Sequence, residues 1–340
     1  MQGPSGHFPS AVRNRARHRA TSTLGRPAGT DRMRVLIGGG SGFVGRELTR
    51  LLRKKGHEIT IISRQPGPGK ITWNDLEAGG LPPCEGAVNL AGENLMNPLR
   101  WWNESYKKDL FSSRIDTTRA LAQAISSSPS PPRAWVLVTG VACYRPSQTA
   151  IYTEETAWTP FDLLSQLVKE WEEAGRLSDD VAMKTRQVVI RPGAVLGREG
   201  GAMKQMLVPF WLGLGGTLGS GRQPFPWIHV SDLAGMIAHA LESAGPPAPE
   251  AGVALPPPEV LNGVAPVLNT NGEFTQALGR ALRRPTLLPV PAFAMRALLG
   301  AERAIVLTDG QQVVPKRTLE SGYQYQYPDL QSALREIVGS

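Results

Sequence analysis

Three glycines, Gly39, Gly42 and Gly45, recur at intervals of three in the stretch Gly38-Gly39-Gly40-Ser41-Gly42-Phe43-Val44-Gly45. Between a strand and a helix, that spacing can cradle a pyrophosphate. The first glycine allows the tight turn and the second removes the Cβ that would block the phosphates. The third lets the helix pack close to the strand. Phe43 and Val44 open that helix, whose free N–H groups and positive dipole end face the same anion. At the end of the next apolar run stand Ser63 and Arg64. An NAD enzyme usually carries an Asp or Glu there, about twenty residues past the glycines, to accept from the ribose 2′-hydroxyl. An arginine fork instead matches a dianionic phosphate, and no carboxylate adjoins it in the sequence. The pair predicts NADP(H) as cofactor; the alternative is an Arg64 that is merely solvated.

Candidate catalytic groups are fewer. Thr139 and Tyr144 lie at and just past the end of the run Trp135–Val138, where a substrate oxygen would meet a nicotinamide. Tyr144 is either a general acid or a tyrosine packing the base of a second lobe. His229, inside Pro226-Trp227-Ile228-His229-Val230, reads more readily as a structural hydrogen-bonding group than as a catalyst. Glu93 either faces the pocket or caps a turn. Leu90, Ala91, Gly92 and Val195 would line the cofactor through backbone and shape. Arg114 would offer a positive charge to the diphosphate, with Asp109 helping to orient the same helix face. An exposed Arg114–Asp109 surface pair is the competing expectation.

The elements that must hold these groups alternate. Strands are expected at Arg34–Gly38, His57–Ser63, Ile71–Trp73, Gly86–Leu90, Trp135–Thr139 and Arg186–Arg191. Helices are expected at Phe43 to about Lys55, from Asn74, at Trp101 to about Ser126 and around Leu163–Leu177. This order specifies an α/β doubly wound parallel sheet with its ligand at the C-terminal strand ends. Residues 33–191 form the Rossmann domain and 192–338 mostly a smaller substrate lobe, with 225–242 and 259–265 returning to the first domain. Ser243–Pro258 is a Pro/Ala-rich surface loop, and Asn271–Leu282, Pro291–Leu307 and Asp329–Val338 look helical.

The formal charge of +8 is concentrated in residues 1–32, where six arginines face one acid, Asp31. No basic patch with interleaved aromatics survives in the rest, so a nucleic-acid partner is not expected. The Arg-rich, Ser/Thr-bearing leader reads as a mitochondrial matrix presequence or as a disordered extension of a cytoplasmic chain. Two cysteines, Cys84 and Cys143, exclude a disulfide scaffold and a zinc cluster. The longest uncharged run, Gln205–Gly221, is broken by Pro209 and five glycines, too broken for a membrane span, so a soluble protein with no membrane partner is expected.

Several segments together resemble one family: GGGSGFVG, VNLAGEN, RPGAVLGREGGAM, PWIHVSDLAG, LNGVAP and the tail VVPKRTLESGYQY with PDLQSAL. They are similar to the atypical extended short-chain dehydrogenase/reductases of the epimerase family, group 39U, the cell-division-inhibitor-like NAD(P)-binding proteins. The resemblance covers about residues 33–338. It implies an extended Rossmann fold, NADP across the strand ends and an oxidoreductase acting on a small-molecule substrate. The wider superfamily uses a Tyr-x-x-x-Lys pair after the fifth strand. Here the expected positions hold Leu163 and Leu167, neither of which ionises. An NADP(H)-dependent oxidoreductase or epimerase on a carbonyl or hydroxyl compound is the leading reading. A non-catalytic NADP-binding redox sensor is the alternative.

Overall fold

The apolar runs of the sequence become strands buried on both faces of one sheet. A computed structural model describes residues 32–97, 100–243 and 257–339. Its strands are β1 Arg34–Gly38, β2 Glu58–Ser63, β3 Lys70–Thr72, β4 Gly86–Asn89, β5 Ala134–Val138, β6 Ile151–Tyr152, β7 Arg186–Pro192, β8 Ala194–Leu196, β9 Trp227–His229, β10 Glu259–Gly263 and β11 Gln312–Val313. Seven of them form a parallel sheet in the order β10-β7-β5-β4-β1-β2-β3. The doubly wound α/β architecture expected from the alternating pattern is therefore present. The order turns around between β1 and β4, and the crevice at a sheet's turnaround is where such folds take ligands.

Side chains alternate across the sheet with the strand period of two. Val35 and Ile37 of β1, Val136 and Val138 of β5, and Val188 and Ile190 of β7 enter one core. Leu36, Leu137 and Val189, between them, enter the other. The first core is closed by α1 (Phe43–Lys54), through Leu48 and Leu52, and by the helix Val230–Glu242, through Leu233 and Ile237. On the opposite face lie α2 (Trp73–Gly79), α3 (Glu104–Ser126) and α4 (Leu163–Ala174). Two buried indoles lock that layer. Trp135 Nε1 donates to the Gly175 carbonyl at 2.8 Å and Trp171 Nε1 to Thr118 Oγ1 at 2.9 Å. Both donors are satisfied, so these large side chains add apolar area without an unpaired polar group.

A separate core joins Leu196, Met203, Phe210, Phe274 and Leu334 in the smaller lobe. The helix Val230–Glu242 and β10 belong to the main sheet, whereas β8 pairs with β9 and β11 with β6 in two-stranded ribbons.

Boundaries shift where local chemistry decides. The long helix starts at Glu104, because Asn103 Oδ1 accepts from the Tyr106 amide, and not at Trp101. A reciprocal Thr72–Asp75 capping box starts α2 at Trp73. The single helix expected over Pro291–Leu307 is two, Ala292–Leu299 and Ala301–Thr308, broken at Gly300 with φ +84°. The basic leader to Asp31, and 244–256 of the Pro/Ala-rich loop, lie outside the described residues. Among the described residues no helix is long and apolar enough to cross a membrane. Among them, too, no group of His, Cys, Asp and Glu could hold a metal ion, and both cysteines are buried free thiols.

Candidate functional site

The three glycines do three different jobs. Gly39, at φ +75°, packs so tightly on the end of β4 that a Cβ would lie 2.7 Å from the Ala91 nitrogen. A Cβ on Gly45 would lie 2.4 Å from the Gly39 carbonyl oxygen and 2.6 Å from Gly40 Cα, so this glycine seats α1 against the turn. Gly42 is exposed, and a Cβ there would meet only the Gly39 carbonyl, at 3.2 Å. Its space opens outward. Gly42 is also the N-cap of α1; no side chain caps that end and no acid occupies the first turn. Arg46 adds a positive charge beside the turn, where its Nη1 donates to the Ser41 carbonyl at 3.2 Å. Open space, uncapped amides and a cation together make an anion site.

Around it the cleft closes from two sides. Gly197 and Gly200 of the loop after β8, and Gly201 at the start of the next helix, pack on the Phe43 ring, and a Cβ on Gly200 would lie 2.4 Å from Phe43 Cγ. Val44 and Val195 are partly buried against the core beneath. On the other side Asn89, fully buried, finishes β4. Its Oδ1 accepts from the Ala91 amide at 3.0 Å and its Nδ2 donates to Thr118 Oγ1 at 2.8 Å. Asn89 thereby fixes the backbone of Leu90 and Ala91 against Gly39. The sequence signal for it is an amide closing an otherwise apolar run.

Ser63 and Arg64 end β2 beside this crevice. Ser63 Oγ accepts from the Gln65 amide at 3.2 Å. The Arg64 side chain is 90% exposed and its Nη1 stands 4.0 Å from Glu93 Oε2. The sequence shows no carboxylate near Arg64, but the fold brings one across β1 from beyond the end of β4. Glu93 thus faces the crevice and does not cap a turn with its side chain; its backbone amide donates to Ser113 Oγ at 3.0 Å.

Arg114 and Asp109 do not form the surface pair. Asp109 binds Arg100 at 2.8 Å. Arg114 lies half-buried under Gly92, with its guanidinium 5.2 Å from the Trp171 ring centroid. It donates to the Glu93 carbonyl at 2.8 Å and the Leu110 carbonyl at 3.1 Å. Burial, opposed by the nearby Tyr106 and Glu93, pulls its pKa down to about 10. Arg114 is thus a brace that holds the Gly92–Glu93 turn on α3.

The catalytic candidates fare differently. Thr139, 9% exposed, ends β5 and donates from Oγ1 to Glu172 Oε1 at 3.2 Å. Glu172 is clamped by Arg191 through two bonds, Nε–Oε1 at 2.8 Å and Nη2–Oε2 at 2.7 Å. Tyr144 is fully enclosed. Its hydroxyl accepts from Arg191 Nη1 at 3.1 Å and lies 3.1 Å from both the Thr153 carbonyl and Asn262 Oδ1. Burial pushes its pKa up to about 12. A hydroxyl so enclosed has no path to a substrate, which removes Tyr144 as a general acid and leaves it as packing at the lobe base, stacked on Tyr152. Glu172 and Arg191 escaped sequence reading. Their signal is a charge placed inside or at the end of an apolar pattern. Burial lowers the Arg191 pKa, but the Glu172 carboxylate raises it further, so the net shift is upward.

His229 is architectural. Its Nδ1 accepts from the Ser231 amide at 3.2 Å, capping Val230–Glu242, and its Nε2 lies 2.9 Å from Glu336 Oε2. Lys169 is on the surface of α4 near Glu173, and no residue from Leu163 to Val168 can ionise near neutral pH.

Residues 35–252 match the NAD dependent epimerase/dehydratase family, and residues 290–337 a domain of unknown function, DUF1731. The chain belongs to the NAD dependent epimerase/dehydratase family. Within the epimerase family it is 56% identical, over 306 residues, to the human epimerase family protein SDR39U1, across 90% of this chain and 100% of the relative. The Bacillus subtilis epimerase family protein YfhF is 33% identical, over 90% and 98% of the two chains. Among solved structures, human SDR39U1 (isoform 2) with NADPH superposes with a TM-score of 0.84 at 55% identity, covering 90% of this chain and 99% of that one. A UDP-galactose 4-epimerase, at 14% identity with a TM-score of 0.65 over 90% and 99%, shares the epimerase fold.

Proposed function

We propose that the chain is an NADP(H)-dependent oxidoreductase, or an epimerase working by transient oxidation, on a small carbonyl or hydroxyl compound. The observation that carries this is the uncapped, acid-free end of α1 at Gly42, with the exposed guanidinium of Arg64 at the adjoining strand end. A pyrophosphate fits the first and a 2′-phosphate the second. The NADPH in the human relative supports the same assignment.

The residues that would hold NADP are the turn Gly39–Gly45, Ser63 and Arg64 at one end, and the backbone of Leu90, Ala91 and Val195 along the floor. When bound, its nicotinamide supplies hydride transfer. Thr139 is the polar group at the inner strand end. Because its proton is committed to Glu172, its remaining lone pairs can accept from a substrate hydroxyl. Arg191 grips both Glu172 oxygens and so fixes that orientation.

A second reading, an NADP-binding sensor without turnover, draws on the enclosed Tyr144 and the leucines at the dyad positions. A carbonyl-compound screen that follows NADPH absorbance separates the two. Turnover that is lost in Thr139→Ala, with NADPH affinity retained, is the expected result. Tight NADPH binding with no consumption across the screen would favour the sensor.

A further inference from the structure

The smaller lobe carries an exposed apolar edge that no part of the cofactor crevice uses. Trp211 ends the helix Gly201–Trp211, Leu212 and Leu214 follow it, and all three are exposed. Beside them runs the loop of Leu287 and Leu288, then Phe293. The two segments are joined: Val290 N donates to the Thr217 carbonyl at 2.8 Å, Gly219 N to the Val290 carbonyl at 2.9 Å, and Arg284 Nε to the Trp211 carbonyl at 2.8 Å. Leu287 is 80% exposed and Phe293 75%, so these side chains protrude and are not sunk in a groove.

The charge of the same edge is one-sided. Residues 200–231 and 274–301 contain no Asp or Glu, but they carry Lys204, Arg222, Arg280, Arg283, Arg284 and Arg296. Arg280, Arg283 and Arg284 line one shallow recess with Gln276 and Thr286. Arg283 is held there at φ 54°, the one left-handed non-glycine among the described residues.

We infer that this edge docks the protein on an anionic phospholipid surface, with the apolar tips entering the acyl boundary and the arginine recess taking phosphate headgroups. Protruding aliphatic and aromatic tips ringed by cations suit an interface that is oily below and anionic above. A second copy would bring like charge against like, and a bound peptide needs a groove that these exposures exclude. Such an edge spans nothing, and its share of the sequence is the glycine-broken uncharged run Gln205–Gly221.

Vesicle co-sedimentation of the full chain tests this, with phosphatidylcholine alone compared with phosphatidylcholine containing phosphatidylglycerol. The wild type is expected to pellet with anionic vesicles only and to be released by high salt. Leu287→Ser/Leu288→Ser and Arg280→Glu/Arg296→Glu alter exposed residues, and each should lower partitioning by at least about tenfold with an unchanged melting temperature. A third variant, Arg13→Gln/Arg15→Gln/Arg17→Gln, controls for the basic leader and should keep most of the binding. Wild-type partitioning in both edge variants, loss confined to the leader variant, or no binding to anionic vesicles (as for a surface that serves an acidic protein) would each overturn the assignment.

Discussion

Arg64 and Arg114 have the same side chain and opposite circumstances. Arg64 is exposed, touches one carboxylate at the limit of ion pairing, and is free to meet a phosphate. Arg64→Ala should weaken NADPH by roughly ten- to a hundred-fold, the equivalent of about 1.5–3 kcal/mol for a charge-assisted contact, and NADH far less. Parallel titrations with both cofactors check this, and equal losses would return Arg64 to solvent. Arg114 is committed to two carbonyls and an indole. Arg114→Met leaves the Glu93 carbonyl without its donor, so the cofactor-free protein should lose roughly 1.5–3 kcal/mol, seen in a urea melt. An unchanged midpoint would show that the Gly92–Glu93 turn stands without its brace. Sequence could name both arginines but not tell them apart. The partners of Arg114 lie on another turn of its own helix and on a loop some twenty residues away, and only the packed fold says which is in reach.

At the scale of elements, the glycine turn shows what sequence does and does not disclose. Its spacing predicted three roles, and the backbone geometry matches those of Gly39 and Gly45, because close approach and left-handed φ are local demands that only glycine meets, while the role of Gly42 depends on the ligand. Two substitutions separate those roles. Gly45→Ala puts a methyl into the Gly39 carbonyl, so thermal stability should fall by about 1–3 kcal/mol. Gly42→Val faces open space, so circular dichroism and the melting temperature should stay close to wild type while dinucleotide binding disappears. A folded Gly42→Val that still binds would make the spacing a packing device only. Tyr144 illustrates the opposite case. Its hydroxyl meets Asn262 from β10, 118 residues on, a pairing no local pattern encodes. Gly300 likewise looked like one small residue within a helical pattern, until its positive φ divided the helix in two.

At the scale of the molecule, the two buried thiols tie stability to alkaline pH. Burial pushes Cys84 and Cys143 from an ordinary value of 9.0 to about 12, so the folded state holds both protons where the unfolded chain has released them. The stabilising contribution is complete below pH 9 and declines as pH rises from 9 through 12. Chemical denaturation between those limits should show falling stability, with a shallower fall in Cys143→Ala; identical slopes would assign the decline to other groups. The sheet order has a consequence of another kind, for a chain still being synthesised. After β1, β2 and β3 have formed one side, β4 joins the free edge of β1, and β5, β7 and β10 each then join the outer edge of the sheet. No strand must be inserted between two already paired. A nascent chain can therefore extend the sheet in the order in which its strands leave the ribosome, each arrival covering the edge that was open to misassociation. The helix Leu330–Val338 then arrives to complete the core of the smaller lobe. The dinucleotide crevice thus takes shape early in synthesis, and the core of the smaller lobe is complete only after Leu330–Val338 has emerged.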